Sequence, residues 1–103
     1  MHTLPLPDAV LRDDNSVHML GAWIAEEGLH CALNYGFFEE NGHDEAEAWG
    51  VMLADVIRHI ANARKSETGE ATASTIATIV ASLQAELADP SSDVEGEFVS
   101  KPH

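Results

Sequence analysis

His43, Asp44, Glu45, Asp55, Arg58 and His59 fall in one stretch, HDEAEAWGVMLADVIRHIAN, among large apolar residues. Asp55 and His59 are one helical turn apart, so a carboxylate would neighbour an imidazole. Such a pair can orient the ring as a general base or supply part of a metal site. The same spacing also makes an ordinary surface ion pair, which is the simpler reading. On a helical wheel Arg58 points away from both, so the three are not expected to converge. His43, Asp44 and Glu45 are consecutive and project in different directions. With no second His at i, i+4 and no cysteine pair, neither a metal nor a cofactor is expected. Trp49 and Tyr35 could wall a small ligand, so the candidate ligand set is Tyr35, Trp49, Asp55, Arg58 and His59. In so small a domain, large aromatics also serve as core.

The stretch reads as a helix. Asn41-Gly42 signals a turn, and Asp44 with Glu47 forms a capping box. At ~100° per residue, Met52, Val56, Trp49, Ile60, Leu53, Ala46 and Ile57 share one arc, so the helix runs to about Lys65. After a break at Ser66 to Gly69, a second helix carries Thr72, Ile76, Ile79, Val80, Leu83 and Leu87 at spacings of three and four, and Pro90 ends it.

Upstream, Val17 to Ala25 and Leu29 to Phe37 flank Glu26-Glu27-Gly28, a hairpin signal. A three-residue loop would pair Ala25 with Leu29 and Trp23 with Cys31. Met19, Trp23, Leu29, Cys31, Leu33 and Tyr35 would then share one face, and Leu20, Ala22, Ile24, His30, Ala32 and Asn34 the other. Residues 1–16, with Pro5 and Pro7, read as an extended lead-in with one short strand near Ala9 to Arg12. Residues 89–103 read as an acidic mobile tail. The expected architecture is one α+β domain over residues 17–88, an antiparallel β-hairpin followed by two α-helices.

Composition limits the function classes. Eighteen acidic residues against five Lys plus Arg give a net charge of −13. Phosphate backbones and anionic lipid heads repel such a surface, so nucleic-acid and membrane-surface binding are not expected. Cys31 is the one cysteine; in a chain with few cations it reads as a small hydrophobe, not a nucleophile. Lacking a basic-then-apolar leader and any ~20-residue apolar run, the protein is expected to be cytoplasmic. There is no glycine-rich phosphate loop, G-x-S-x-G, H-E-x-x-H or EF-hand spacing.

A hairpin with two helices leaves one sheet face and both edges open. A second copy would complete the sheet, so a homodimer is expected through Leu20, Ala22, Ile24, His30 and Ala32. The first functional reading is a homodimeric protein-interaction module with an unidentified protein partner. The alternative is a small-molecule or metal-binding domain centred on Asp55 and His59. Catalysis is disfavoured because few polar groups converge.

The segments LGAWIAEEGLHCALN and EAWGVMLADVIRHIANA resemble domain of unknown function family 5076, small bacterial proteins found largely in alphaproteobacteria. The resemblance covers roughly residues 19–63. It implies a Trp-bearing strand, a glycine turn into a second strand, and a helix with Trp49, Gly50, Leu53, Ala54, Asp55, Arg58 and His59 in the family pattern. It implies no activity.

Overall fold

The computed structural model describes residues 1–99. Seven elements follow in order: α1 (Asp8–Arg12), β1 (Leu20–Ala25), β2 (Gly28–Asn34), α2 (Phe37–Glu40), α3 (Glu45–Thr68), α4 (Thr72–Ala88) and β3 (Val94–Val99). The class is α+β, with a three-stranded sheet ordered β1-β2-β3. The hairpin and the two long helices follow in the expected order, but the strands are shorter than Val17 to Ala25 and Leu29 to Phe37, and α3 runs to Thr68, through most of the expected break. Three elements are additional. Where a strand was expected near Ala9 to Arg12, DAVLR forms α1, with Pro7 as N-cap. Proline at a helix start costs nothing, since its missing N–H would be unpaired there anyway. The expected mobile tail supplies β3, which pairs parallel to β2; residues 100–103 of that tail lie outside the described residues. Its sequence VEGEFV alternates apolar and acidic residues, the period of a strand.

The hairpin register differs from the expected one. Ala25 pairs with Gly28, Trp23 with His30 and Ile24 with Leu29. The loop is two residues, Glu26 and Glu27, with φ of 51° and 65°. Positive φ at both central positions is the signature of a type I′ turn, whose twist matches the strands it joins. Gly28 is thereby a strand residue, not the turn glycine.

Each glutamate sits in a conformation that costs roughly 1 kcal/mol or more relative to Asn or Gly. Replacing the pair by Asn-Gly is expected to raise stability by about 1–2 kcal/mol. A urea titration checks this, and an unchanged midpoint would contradict the turn assignment.

The two-residue turn redistributes the faces. Leu20, Ala22, Ile24, Leu29, Cys31 and Leu33 share one side, and the β3 register adds Val94, Gly96 and Phe98 to it. The opposite side carries Trp23, His30, Ala32 and Asn34 with Glu95 and Glu97. One face is wholly apolar and the other mixed. Of the five expected interface residues, Leu20, Ala22 and Ile24 lie on the apolar face, while His30 and Ala32 lie on the reverse. Gly96, at φ 133°, abuts the Cys31 backbone so closely that a Cβ would fall 1.9 Å from the Cys31 carbonyl oxygen. Only glycine lets β3 lie there.

The helices form an antiparallel pair. Asp44 caps α3, its Oδ1 accepting the Glu47 N–H at 2.9 Å. Gly69 ends it at φ 79°, donating to the Lys65 carbonyl at 2.8 Å. Small residues make the seam with α4: Ala61 is fully buried and Thr75 is 5% exposed. Among the described residues, Ala61 is the only buried apolar side chain. Large apolar residues elsewhere stay open, including Ile24 at 88%, Phe98 at 67% and Leu87 at 77%.

The whole chain exposes 8454 Å², where a compact monomer of 11.1 kDa would expose roughly 5,700 Å². Its radius of gyration is 15.5 Å, against about 13 Å for a compact domain of this length. The N-terminal arm, with Leu4 at 91%, accounts for part of the excess. No described helix is long and apolar enough to cross a membrane.

Candidate functional site

Between sheet and helices lies an elbow, residues 35–44, and its centre is a residue the sequence reading passed over. Glu45, the first residue of α3, is only 7% exposed. Its Oε2 accepts the Gly36 N–H at 2.9 Å and the Trp49 indole N–H at 2.7 Å. Its Oε1 accepts the Glu39 N–H at 2.9 Å. Burial raises the pKa of this carboxyl, but the bonds from Gly36, Glu39, Trp49 and the Phe38 backbone outweigh it. The net effect holds Glu45 below its ordinary value of 4.5. A carboxylate with several N–H donors is stabilised in its charged form. Gly36, at φ 100°, turns the chain into α2, and the Phe38 ring meets Trp49 edge-on at 5.7 Å. Glu45 thus ties α2 to α3. A first-turn glutamate is so common as a partner of the helix dipole that its type carried no signal. The available hint was Trp49 four residues on, on the same face.

The candidate ligand residues do not come together. Asp55 Oδ1 accepts from Arg58 Nη2, correcting the wheel reading that set Arg58 apart. The pair is well exposed, with side chains 60% and 64% accessible, so it contributes little to stability. Trp49 is committed to Glu45 and Phe38. Tyr35 lies by the sheet, its ring 6.5 Å from that of Phe98. His59 is exposed on α3.

Asp55 does line an open groove of about 560 Å³, floored by Met19, Phe38, Val51 and Met52 and rimmed by His43, Asp44 and Glu47. His59, Arg58, Trp49 and Tyr35 are not part of it. Among the described residues, no three His, Cys, Asp or Glu side chains converge as metal ligands would.

A second polar cluster closes the helix hairpin. Arg64 Nε donates to Glu70, and Thr75 Oγ1 donates to the same carboxylate at 3.2 Å. The Arg64 hydrogen bond, then the Thr75 hydroxyl, hold Glu70 below the ordinary carboxylate value. This cluster fixes the turn between α3 and α4. It leaves Arg64, like Arg58, occupied by an acid of its own chain.

The sequence model of a protein family described as "Domain of unknown function (DUF5076)" matches residues 3–91. No curated protein matches the chain. One solved structure is similar over 90% of each chain, with 27% identity and a TM-score of 0.65. It is described as "Structure of a putative pyruvate dehydrogenase from the photosynthetic bacterium Rhodopseudomonas palustrus CGA009".

Proposed function

We propose, from the premise that this chain belongs to the family DUF5076, that it works as a homodimeric protein-interaction module. The observation that carries the reading is the uncovered apolar surface. Ile24 at 88%, Val94 at 64% and Phe98 at 67% stand open on one face of the sheet, and a contiguous apolar face of this kind marks an interaction site. The chain's total exposure, 8454 Å², exceeds that of a compact chain of its mass by roughly 2,800 Å². Part of this is the N-terminal arm, and the rest is of the order that each copy of an obligate homodimer buries, about 1,000–2,500 Å². The acidic exterior then remains for a partner with a basic face, drawn in by long-range attraction.

The test is native mass spectrometry with light scattering on untagged protein. A species of about 22 kDa, twice the 11.1 kDa chain, is expected at micromolar concentration. A folded, soluble 11 kDa monomer would refute the reading.

The activity named for the structural neighbour does not transfer readily: pyruvate is an anion, and the groove beside Asp55 is lined by no lysine or arginine. The alternative of a ligand or metal site keeps one supporting observation, the groove beside Asp55. On that reading Asp55→Ala, which changes the groove's own lining, would abolish the bound mass with the fold intact. On ours Asp55→Ala leaves the dimer mass unchanged and shifts Tm by no more than about 3 °C, as for an exposed substitution. A thermal melt with a mass measurement separates the two.

A further inference from the structure

We infer that the two copies cover one another reciprocally: the apolar sheet face of each protomer seats on the apolar stripe of the other's α3. The inference rests on the dimer reading above and specifies its geometry. Two apolar surfaces of different shape stand open in one chain. The first is the sheet face, where Ile24 is 88%, Leu29 44%, Val94 64% and Phe98 67% exposed. The second is a stripe on α3, Leu53 at 42%, Val56 at 42% and Ile60 at 48%, spaced as one side of a helix. The stripe runs beside the seam with α4, which passes through Ala61 and Thr75, and at its far end Ile60 borders Thr75, Thr78 and Ile79 of α4. A sheet face and a helix stripe are the complementary halves of an ordinary α+β layer pair, yet here the two halves of one chain leave each other bare.

The elbow explains why. Glu45 binds the Gly36 and Glu39 amides, and Phe38 meets Trp49 edge-on, so α2 is fixed to the start of α3. Gly36 is two residues past the end of β2, so its bond to Glu45 also holds the sheet's exit in place. The cover must come from another chain.

Symmetry selects among the ways a second copy can supply it. Sheet on sheet would bury the strands and leave Leu53, Val56 and Ile60 in water; helix on helix would do the reverse. Reciprocal sheet-on-helix packing buries both in a single two-fold operation. The dimensions permit it: strands of about six residues span ~20 Å, enough to cover the Leu53–Ile60 stripe, about 10 Å long on a helix.

Site-specific cross-linking tests this on the full chain, in a Cys31→Ala background shown by mass to remain dimeric. Ile24→Cys and Val56→Cys chains, distinguishable by isotope label, are refolded together and oxidised, then weighed without reductant. A second pair, Leu29→Cys with Ile60→Cys, is treated alike. Reciprocal packing predicts that mixed disulfides, sheet position to helix position, exceed either homodisulfide by about tenfold in at least one pair. A dimer yielding mainly 24–24 or 56–56 links overturns the geometry and keeps the dimer. A dimer forming no mixed link in either pair overturns it as well. A monomeric mass before oxidation marks the failure of the dimer reading itself.

Discussion

Ile24→Glu is expected, on the dimer proposal, to turn a species of about 22 kDa, twice the 11.1 kDa chain, into a dissociated chain. Ile24 stands 88% exposed in the protomer, on the edge strand of a face with no polar residue. Burying an isoleucine contributes about 1.5–3 kcal/mol. A carboxylate forced into the same place adds a desolvation penalty of several kcal/mol. A two-fold dimer carries each change twice, so the dissociation constant is expected to rise at least about 10⁴-fold.

The separated chain has Ala61 as its only buried apolar side chain among the described residues. Dissociation and unfolding are then one event, and the wild-type Tm should climb with protein concentration. Ala32→Lys is the contrasting variant. Ala32 pairs with Glu97 on the mixed face, so the new ammonium gains a carboxylate neighbour and the dimer mass stays as it was. If Ala32→Lys dissociated the protein and Ile24→Glu did not, the interface would lie on the other side of the sheet.

That contrast also separates what the sequence could say from what it could not. Helix α3 was legible because two local rules agree: Asp44 caps it and an apolar arc runs along it. The helix ends owe little to the rest of the molecule. The faces of the hairpin were not legible, because one residue of loop length moves every side chain to the opposite side. The glycine in Glu26-Glu27-Gly28 suggested where the positive φ should lie, yet the two glutamates take it. Strand β3 was hidden by composition: four acidic residues between Asp89 and Glu97 suggested a solvated tail, while the alternation of Val94, Gly96 and Phe98 was the stronger signal. The shortage of cover for the sheet was legible, and it survives the change of register. Moving the apolar set onto one face makes the need for a partner greater. For the candidate site, spacing placed Asp55 beside polar neighbours but could not say which. Arg58 is the one it meets, because a long flexible side chain crosses the wheel angle that separates the two Cα atoms.

Replacing Glu45 has the largest expected effect outside the interface, because its carboxylate is the shared acceptor of the elbow. Glu45→Ala leaves the Gly36 and Glu39 amides and the Trp49 indole without their acceptor in a part-buried site. Tm is expected to fall by about 10 °C or more. Glu45→Gln is the finer probe. An amide keeps one accepting oxygen and turns an NH₂ toward donors that need an acceptor, so it too destabilises at neutral pH.

The two glutamate states also differ in their response to acid. The folded pKa of Glu45 lies below its ordinary 4.5, so its contribution is present above that value and is lost as the pH falls through the folded pKa. Glu70 and Glu86 are shifted the same way, by Arg64 with Thr75 and by Ser91 respectively. All three make stability decline in acid. Neutralising a chain of net charge −13 relieves self-repulsion and opposes that decline, so the total slope alone is a poor reporter. The difference between wild type and Glu45→Gln is a clean one, since both carry nearly the same background charge. Their stabilities, measured from urea unfolding between pH 3 and pH 7, should converge below about pH 4.5, as the wild type loses what the amide never had. Parallel curves across that range would mean that the carboxylate does not hold the elbow, and the rigid offset of sheet from helices would lose its cause.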